Sequence, residues 1–399
     1  SATDAEGVNL DFAQVAASTA LVAAIMTLLM GIVGRYPFAV AAGLGLNGVV
    51  AFQLASQMSW AAAMGIVVVE GLVISVLVLT GFREAVFNAI PLTLKRAISV
   101  GIGLFIALIG FVDAGFVRRN APAPPLTMGI GGTLDGWPIV VFVVGLLVVF
   151  VLMARRVRGA ILIGIAATAA AAITLGLAER PESWLAAPPD LGPTFLALDV
   201  RGALTWGFLS VILTIFVLDL VDTVGTLVGL GLKAGLLDEQ GRLPGIDRAL
   251  QADAVATVVG SLLGTTTCGT YIESAAGIEA GGRTGLASLV TATWFLAALF
   301  FAPVLSAVPA AAYGPALVVV GMLMLETVGR LRFDDLSEQA PAFLTIALMA
   351  FTYDLGIGLT AGFLSWVLLR AATGRAREVP PGMWVLGSLS ALFYVLYPY

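Results

Sequence analysis

The length, composition and charge of this chain exclude a water-soluble globular protein. Of its 399 residues, 59% are hydrophobic and only 11% are charged, whereas a soluble domain carries roughly 25% charged residues. The formal net charge is −5, histidine is absent, and the single cysteine, Cys268, excludes an internal disulfide bond. The chain is therefore predicted to be a polytopic membrane protein whose proton chemistry, if any, uses carboxyl groups, tyrosine or water.

Apolar runs that could cross a bilayer follow one another along the whole chain, and a full crossing needs about 20 helical residues. The runs 250–263 and 267–280 are too short and suit half-helices buried in protein, where irregular backbone is tolerated. The run 340–371 is long and broken at Asp354, so it forms either one bent span or a hairpin of two short helices. The predicted spans are residues 12–34, 38–55, 60–80, 97–117, 137–153, 158–178, 203–232, 250–263, 267–280, 284–304, 310–328, 340–371 and 382–397.

The basic residues are divided unequally between the two sides that these spans define. By the positive-inside rule, the side richer in lysine and arginine is predicted to be cytoplasmic. Arg370, Arg375 and Arg377 join that side only if 340–371 is a hairpin, so the charges favour the hairpin. The predicted cytoplasmic set is Arg35, Arg83, Lys95, Arg96, Arg155, Arg156, Arg158, Lys233, Arg242, Arg248, Arg283, Arg330 and Arg332, and the opposite set is Arg118, Arg119, Arg180 and Arg201.

Two short segments, one in each half of the chain, interrupt apolar runs with glycine and polar residues in the same way. When Gly43 is aligned with Gly269, Asn47 falls on Glu273, and small or hydroxyl-bearing residues surround both. Interrupted segments in corresponding positions of two halves are the best sequence-level indication of a transporter's binding site. Asn47 offers both hydrogen-bond donors and acceptors, and the alternative for it is a turn-forming role beside Gly48.

The order of the following features supports an internal repeat. The first segment is followed by a span, by Pro91 and by an apolar run, and the second by a span, by Pro309 and by an apolar run. The charge rule gives the runs 97–117 and 310–328 opposite directions, as an inverted repeat requires. The chain is therefore predicted to contain two inverted repeats.

Carboxyl groups inside predicted spans are candidate functional groups, because a charge at mid-bilayer costs roughly 2.5–3.5 kcal/mol. Asp219 and Asp222 lie three residues apart and share one helix face, so both can face one cavity. For Asp219 the alternative is a hydrogen bond to a neighbouring helix. Glu70 lies in the middle of a span. It either makes a structural polar contact there or takes part in coupling, and the sequence favours neither role. Asp354 is predicted to cap or kink the chain at the break in 340–371.

Glu273 is the strongest candidate for contact with a ligand. Gly269 and the threonines at 265–267 indicate an extended lead-in, with a half-helix that starts near Tyr271 to Ser274. A helix N-terminus offers free N–H groups and the positive end of the helix dipole. A carboxylate at this position is stabilised and can still accept hydrogen bonds from the N–H groups of a ligand.

Three of these segments carry a resemblance to a known family, and it extends over essentially the whole chain. They resemble the signature segments of the AzgA-like purine permeases, which belong to the nucleobase–cation symporter (nucleobase–ascorbate) superfamily. The signature segments are GLGLN at 43–47, DTVGT at 222–226 and YIESAAGIEAGGRTGL at 271–286, supported by AIPLTLKRAISVGIGLFIALIG at 89–110 and ARRVRGAILIGI at 154–165.

The resemblance implies an all-α transporter fold of fourteen spans in two inverted repeats of seven, with short strands before half-helices in spans 3 and 10. Spans 1–4 and 8–11 form a core domain in this family, and spans 5–7 and 12–14 form a gate domain. Residue 1 falls after the first span of the family, so that span is expected to be missing from this chain. The implied division is core for 1–82 and 201–304, and gate for 83–200 and 305–399.

The resemblance also implies a function, namely import of hypoxanthine, guanine and adenine by proton symport, with an elevator-like movement of the core against the gate. It implies a multi-pass protein of the plasma (inner) membrane, embedded in lipid, that binds no nucleic acid and uses no cofactor, with a homodimer through the gate domains as a further expectation. H⁺ is the expected coupling ion, and Na⁺ remains an alternative. The predicted substrate-binding residues are Glu273, Asp222, Asn47, Thr270, Tyr271, Ser274 and Gly45, and the predicted proton-coupling residues are Asp222, Glu273 and Asp219.

Three alternatives remain open. One is a permease for uracil or xanthine, since the sequence does not rank the bases. Another is an anion exchanger on the same fold, which the acids at 222 and 273 argue against. The third is a membrane-embedded enzyme in which Asp219 and Asp222 bind Mg²⁺ for diphosphate chemistry. Such a site requires further acids and a basic residue for phosphate, and the nearest base, Lys233, lies three helical turns away.

Overall fold

The structure is a computed structural model and is mostly helical. It describes residues 4–43, 47, 49–55, 57–119, 126–129, 133–181, 183–204, 209–331 and 334–396. The elements of the N-terminal half are α1 (Phe12–Leu29, continued by a π-helical turn at Met30–Gly34), β1 (Val40–Ala42), a π-helical segment (Val49–Leu54), α2 (Trp60–Leu79), α3 (Phe82–Ala89), α4 (Leu92–Asp113), β2 (Val117–Arg119), β3 (Leu126–Met128), α5 (Trp137–Ala154) and α6 (Ala160–Thr174).

The C-terminal half repeats this order of elements. A short 3₁₀ turn (Gly192–Thr194) and the short helix α7 (Val200–Ala203) lead into it. The elements that follow are α8 (Leu209–Ala234), α9 (Ile246–Leu262), β4 (Cys268–Thr270), α10 (Ser274–Glu279), α11 (Gly285–Ala298), α12 (Ala302–Ser306), α13 (Ala310–Met324, continued by a 3₁₀ segment at Leu325–Arg330), α14 (Leu336–Phe351), α15 (Leu355–Ala372), a 3₁₀ turn (Ala376–Glu378) and α16 (Pro381–Leu396).

The helices confirm the predicted polytopic class. Within the described ranges, seven helices are long and apolar enough to cross a membrane, and four shorter apolar helices accompany them. The predicted runs 38–55 and 267–280 are not continuous helices, because each contains a three-residue strand. The long ones are α1 with its π-helical turn, α2, α4, α5, α8, α13 with its 3₁₀ segment, and α15, and the shorter ones are α6, α11, α14 and α16.

The long run 340–371 is a hairpin of two helices, α14 and α15, which pack against each other. Asp354 caps α15, and its side chain accepts a hydrogen bond from the backbone N–H of Ile357 at 3.1 Å. At the other end of the hairpin, the Arg375 guanidinium donates a hydrogen bond to Asp335 at 2.6 Å, which lowers the pKa of that carboxyl to about 2. The hairpin favoured by the arginine positions is therefore correct, as is the capping role of Asp354.

The helix predicted at 97–117 begins earlier and ends earlier, at Leu92–Asp113. Lys95 therefore lies inside a helix rather than in a cytoplasmic loop, and its side chain is buried. Its ammonium group donates a hydrogen bond to the carbonyl of Gly241 at 2.7 Å and lies 4.4 Å from the centre of the Phe87 ring. The carbonyl of Gly241 lies 146 residues further along the chain, so the local sequence pattern does not indicate that this lysine is buried.

The two interrupted segments meet in a short two-stranded crossing. β1 pairs antiparallel with β4, so that Val40 lies opposite Thr270 and Ala42 lies opposite Cys268. The central pair is Ala41 and Gly269. Because the same element of each half forms one strand of this sheet, the crossing lies between the two halves of the chain.

The packing of the other helices has the same two-fold relation. α4 packs on its counterpart α13 through glycines: a Cβ atom on Gly103 would lie 2.6 Å from the carbonyl oxygen of Gly321. Pro91 and Pro309, which suggested the repeat, occupy the N-cap positions of these two helices. α1 packs on α11 as α9 packs on α2, and α5 packs on α13 as α14 packs on α4. These reciprocal pairs are the signature of an inverted repeat.

Candidate functional site

The candidate site is built around the crossing of β1 and β4. Beyond the paired residues, the backbone N–H of Tyr271 donates to the carbonyl of Ala39 at 2.7 Å, and that of Gly43 donates to Thr267 at 3.1 Å. Antiparallel pairing places the chain that leads to Asn47 at one end of the crossing and the chain that leads to Glu273 at the other. The two predicted binding segments are therefore brought together by backbone hydrogen bonds that leave their side chains free for other contacts.

Glu273 lies at the N-cap position of α10, as the sequence predicted, although that helix has only six residues. Its side chain makes no capping hydrogen bond. Its Oε2 atom is buried and, among the described residues, has no hydrogen-bond partner. A buried carboxylate oxygen without a partner is costly unless something else satisfies it. Within the described part of the chain, Glu273 is thus an unsatisfied acceptor of the site.

Thr270 and Ser274 flank this carboxylate, and both hydroxyl groups take part in the scaffold. The Ser274 hydroxyl donates to the carbonyl of Tyr271 at 2.6 Å and accepts from the N–H of Ala39 at 2.9 Å. The Thr270 hydroxyl donates to Asp253 at 3.2 Å. The two side chains hold the strand and the half-helix in place, and their direct contact with substrate stays a prediction.

Asp219 and Asp222 lie on α8, which packs against β4, α10 and α2. Asp219 is 1% exposed, and Asp222 is half-buried within electrostatic range of Asp219 and Glu273. The two carboxyls are therefore close to each other, as their spacing predicted. Of these two carboxyls, Asp222 is the one within electrostatic range of Glu273 on the half-helix α10.

Asp253, on α9, is a site residue that the sequence did not reveal. It accepts hydrogen bonds from the backbone N–H of Thr270 at 2.8 Å and from the hydroxyls of Thr270 at 3.2 Å and Thr223 at 2.9 Å. It thereby ties α9 to β4 and to α8. The only sequence signal for it was an acidic residue inside the short apolar run 250–263.

Arg83 is a second residue whose place the sequence did not reveal. The charge rule places it on the predicted cytoplasmic side, and in the structure it lies on α3 with no exposed surface. Its Nη2 atom is 3.4 Å from Asp253 and 3.7 Å from Asp219. Two buried carboxyls require a nearby positive charge, and this requirement keeps Arg83 inside the protein.

Asn47 lies at the other end of the crossing, where its side-chain oxygen accepts a hydrogen bond from the hydroxyl of Thr266. Gly45, also predicted to bind substrate, lies outside the described residues. A cavity of about 490 Å³ opens beside Asn47 between the N-terminal segment, α1, α2 and residues 264–266. Neither Glu273 nor Asp222 lines this cavity, so it reaches the crossing from the Asn47 side only.

Comparison with known proteins identifies the family of the chain. The profile described as Permease family matches residues 2–364. The chain belongs to this permease family. It is 44% identical over 389 residues to a protein of Methanocaldococcus jannaschii named as a permease, covering 97% of this chain and 88% of that protein. The resemblance to purine permeases is confirmed by the next two relatives.

These relatives are bacterial. The guanine/hypoxanthine permease PbuG of Bacillus subtilis is 38% identical, over 98% of this chain and 88% of its own length. The adenine permease AdeQ of Escherichia coli is 34% identical, over 95% of this chain and 85% of its own length. The chain is therefore a multi-pass transporter of the cell membrane and not an enzyme, which removes the Mg²⁺-dependent alternative.

Two solved structures share the fold. The transmembrane domain of the cyanobacterial bicarbonate transporter BicA has a TM-score of 0.53 at 16% identity, covering 88% of this chain and 94% of that domain. Murine Slc26a9 in its inward-facing state has a TM-score of 0.54 at 12% identity, covering 90% of this chain and 67% of that protein. At this identity the likeness concerns the fold alone, and it confirms the inverted-repeat transporter fold.

Proposed function

We propose that this permease imports purine nucleobases (hypoxanthine, guanine or adenine) together with protons. Relatives at 38% and 34% identity are named for guanine, hypoxanthine and adenine. The observation that carries the proposal is the Glu273 carboxylate, which is buried beside the strand crossing and keeps one oxygen without a partner in the described part of the chain. A purine supplies the ring N–H groups that such an acceptor needs.

The base binds beside the crossing of β1 and β4, between the segments of Asn47 and Glu273. Glu273 accepts hydrogen bonds from ring N–H groups, and backbone N–H groups of the two segments donate to a ring nitrogen or carbonyl. Asp222, within electrostatic range of Glu273, completes the polar contacts. Acids on this side favour a neutral, N–H-bearing ligand over an anion, which disfavours the anion exchanger.

Asp222 is the first choice for the coupling proton, with Glu273 and Asp219 as the other carboxyls close to it. A buried charge resists movement past apolar surfaces, and protonation removes that charge. Base and proton together therefore neutralise the site and allow the core, 1–82 and 201–304, to move against the gate, 83–200 and 305–399. Without histidine, carboxyl groups must carry the proton.

Uptake measurements test this function. The full-length protein, expressed in cells that lack their own purine uptake, is expected to take up radiolabelled hypoxanthine, guanine or adenine. Unlabelled bases should compete, and a protonophore should abolish accumulation. Absence of uptake for all three bases would contradict the proposal, and uptake of uracil or xanthine instead would support the alternative of a uracil or xanthine permease.

The assignment of the site is tested by substitution. Glu273→Gln keeps the shape of the side chain but removes the charged acceptor, and a hydrogen bond to a charged group is worth about 1.5–3 kcal/mol. Purine affinity should therefore fall on the order of tenfold or more. Glu279→Gln, at the exposed end of the same short helix, is the matched control and should bind purine normally. Equal affinities of the two variants would contradict the role of Glu273.

A further inference from the structure

Four charged side chains from four helices meet behind the strand crossing. They are Glu70 on α2, Arg83 on α3, Asp219 on α8 and Asp253 on α9, and none is more than 1% exposed. A threonine connects this cluster to the crossing: the carbonyl of Thr267 accepts the N–H of Gly43 at 3.1 Å, and its hydroxyl donates to Glu70 at 3.2 Å. The four groups, which we call the buried charge cluster, are thus part of the same structure as the candidate site.

The cluster contains three acids but one base. Asp253 is surrounded by donors, two from Thr270 and one from Thr223, and it lies 3.4 Å from Arg83. Arg83 and Asp253 form the closer of the two ion pairs of the guanidinium, and their charges cancel. Glu70 and Asp219 then have no second basic group in the cluster.

The two remaining carboxyls lie close enough to interact with each other. Both oxygens of Asp219 and the Oε1 atom of Glu70 are buried, and in the part of the chain that the structure describes they have no hydrogen-bond partner. Two adjacent carboxylates in one buried site cannot both be ionised. A proton between them would give each carboxyl the partner that it lacks.

We propose that Glu70 and Asp219 form a carboxyl pair that holds and exchanges the transported proton, with Asp222 as the relay to the substrate. The proposal rests on the proposed function. It places the proton on Glu70 and Asp219, and Asp219 lies one helical turn from Asp222, the residue closer to the base. Uptake forms an O–H bond on one carboxyl, which is hydrogen-bonded to the other, and release breaks only that O–H bond. The groups that face the pair are Arg83, Asp253, Asp222, Thr223 and Thr267.

The number of protons on this pair sets the charge of the buried charge cluster. The charges of Arg83 and Asp253 cancel, so one shared proton leaves the cluster with a net charge of −1, and a second proton makes it neutral. Neutrality is the state that best tolerates an apolar surrounding. Asp253 also holds Thr270 at the strand crossing.

Transport in proteoliposomes tests the pair. With one proton per base, a one-unit pH gradient drives accumulation of hypoxanthine to about tenfold in the wild type. In the double variant Glu70→Gln/Asp219→Asn neither side chain can gain or lose a proton, and the cluster stays neutral, as it is in the wild type with both protons bound. We expect exchange of labelled for unlabelled base at equal pH to remain measurable in this variant. Accumulation driven by the gradient should be lost.

Two further variants serve as controls for this experiment. Glu70→Asp keeps a titrating group and should retain part of the response to the gradient. Asp113→Asn removes an exposed acid at the end of α4 and should behave as the wild type. If the double variant accumulates base as well as the wild type does, the pair is not the proton site. If the wild type exchanges no purine, the proposed function fails instead.

An infrared measurement tests the pair without transport. A protonated buried carboxyl has a carbonyl stretching band, distinct from that of a carboxylate, that shifts in D₂O. At neutral pH the difference spectrum between wild type and Glu70→Gln, and between wild type and Asp219→Asn, should contain this band. Its absence from both difference spectra would show that the pair holds no proton. Asp219→Asn also provides the test if Glu70→Gln does not fold.

Discussion

Asp253 is the residue on which the geometry of the candidate site depends most directly. Its carboxylate accepts the backbone N–H of Thr270 at 2.8 Å and the hydroxyl of Thr223 at 2.9 Å, and it lies 3.4 Å from Arg83. One side chain thus fixes the strand that precedes Glu273 to two helices. It acts through these contacts, so we regard it as a positioning residue.

Asp253→Asn should reduce both stability and purine affinity. The amide can still accept the N–H of Thr270, but it leaves Arg83 buried beside Asp219 alone, and breaking a buried ion pair costs about 3–5 kcal/mol. Thermal unfolding in detergent and equilibrium binding of labelled hypoxanthine measure the two effects. The control is Asp247→Asn, on the exposed first turn of the same helix. Equal losses in both variants would argue against a special role of Asp253.

Site residues that are marked by their neighbours in the sequence could be predicted, and those whose role depends on residues far away in the sequence could not. Glu273 and Asp222 could be found because glycine, hydroxyl residues and helix spacing mark them within a few residues. Arg83 and Asp253 could not, since their significance comes from partners on other helices. The positive-inside rule predicts only a side of the membrane for Arg83, and it does not indicate that the side chain is buried in an ion pair.

At the level of helices and strands, the contact between α4 and α13 joins the two repeats. A Cβ atom on Gly110 would lie 2.6 Å from the carbonyl oxygen of Gly314, as one on Gly103 would from that of Gly321. Helix backbones that approach this closely leave room only for the hydrogen atom that is the side chain of glycine. Such close contacts through small residues are common between helices in membranes. Glycine is therefore required at these positions by packing.

Gly321→Ala should separate α4 from α13. The added methyl group meets the backbone of Gly103 and the side chain of Ala107, and backbone cannot move aside as a flexible side chain can. Overpacking of this kind typically costs about 1–3 kcal/mol, so the variant should unfold at a lower temperature. Gly329→Ala, where a Cβ atom has no neighbour within 4 Å, should not. Unfolding of Gly321→Ala at the wild-type temperature would contradict the close approach.

The elements themselves were mostly predictable, because apolar length and proline positions identify helices in a membrane. Pro91 and Pro309 marked the starts of two related helices, and the arginine positions favoured the hairpin of α14 and α15. The start of α4 was misjudged, since the lysine of its first turns has a carbonyl partner from the loop between α8 and α9. The pairing of β1 with β4 could not be predicted from the sequence, because a strand of three residues is too short to show a recognisable pattern of apolar and polar residues.

At the scale of the whole molecule, α8 is one of the helices through which the predicted core meets the predicted gate. It carries Asp219 and Asp222, and elsewhere it packs on α4 and α15 with glycines. A Cβ atom on Gly225 would lie 3.0 Å from Leu359, and one on Gly229 would lie 3.2 Å from Met324. The atoms nearest to these two glycines belong mostly to apolar side chains of the predicted gate. Glycines against apolar side chains form a smooth surface on which two bodies can slide.

Gly229→Ile should therefore slow transport without changing the binding site. A β-branched side chain must displace Met324 and Ile102. Such overpacking costs about 1–3 kcal/mol, and in the proposed movement it raises the barrier each time the core passes the gate. We expect uptake to fall about tenfold or more while affinity for labelled hypoxanthine stays within about twofold. Gly229→Ala should lie close to the wild type, since the flexible end of Met324 can yield to one methyl group. Because both substitutions replace glycine by a better helix former, a lower rate cannot be attributed to a weaker helix. Equal uptake in the two variants would show that this surface does not move during transport.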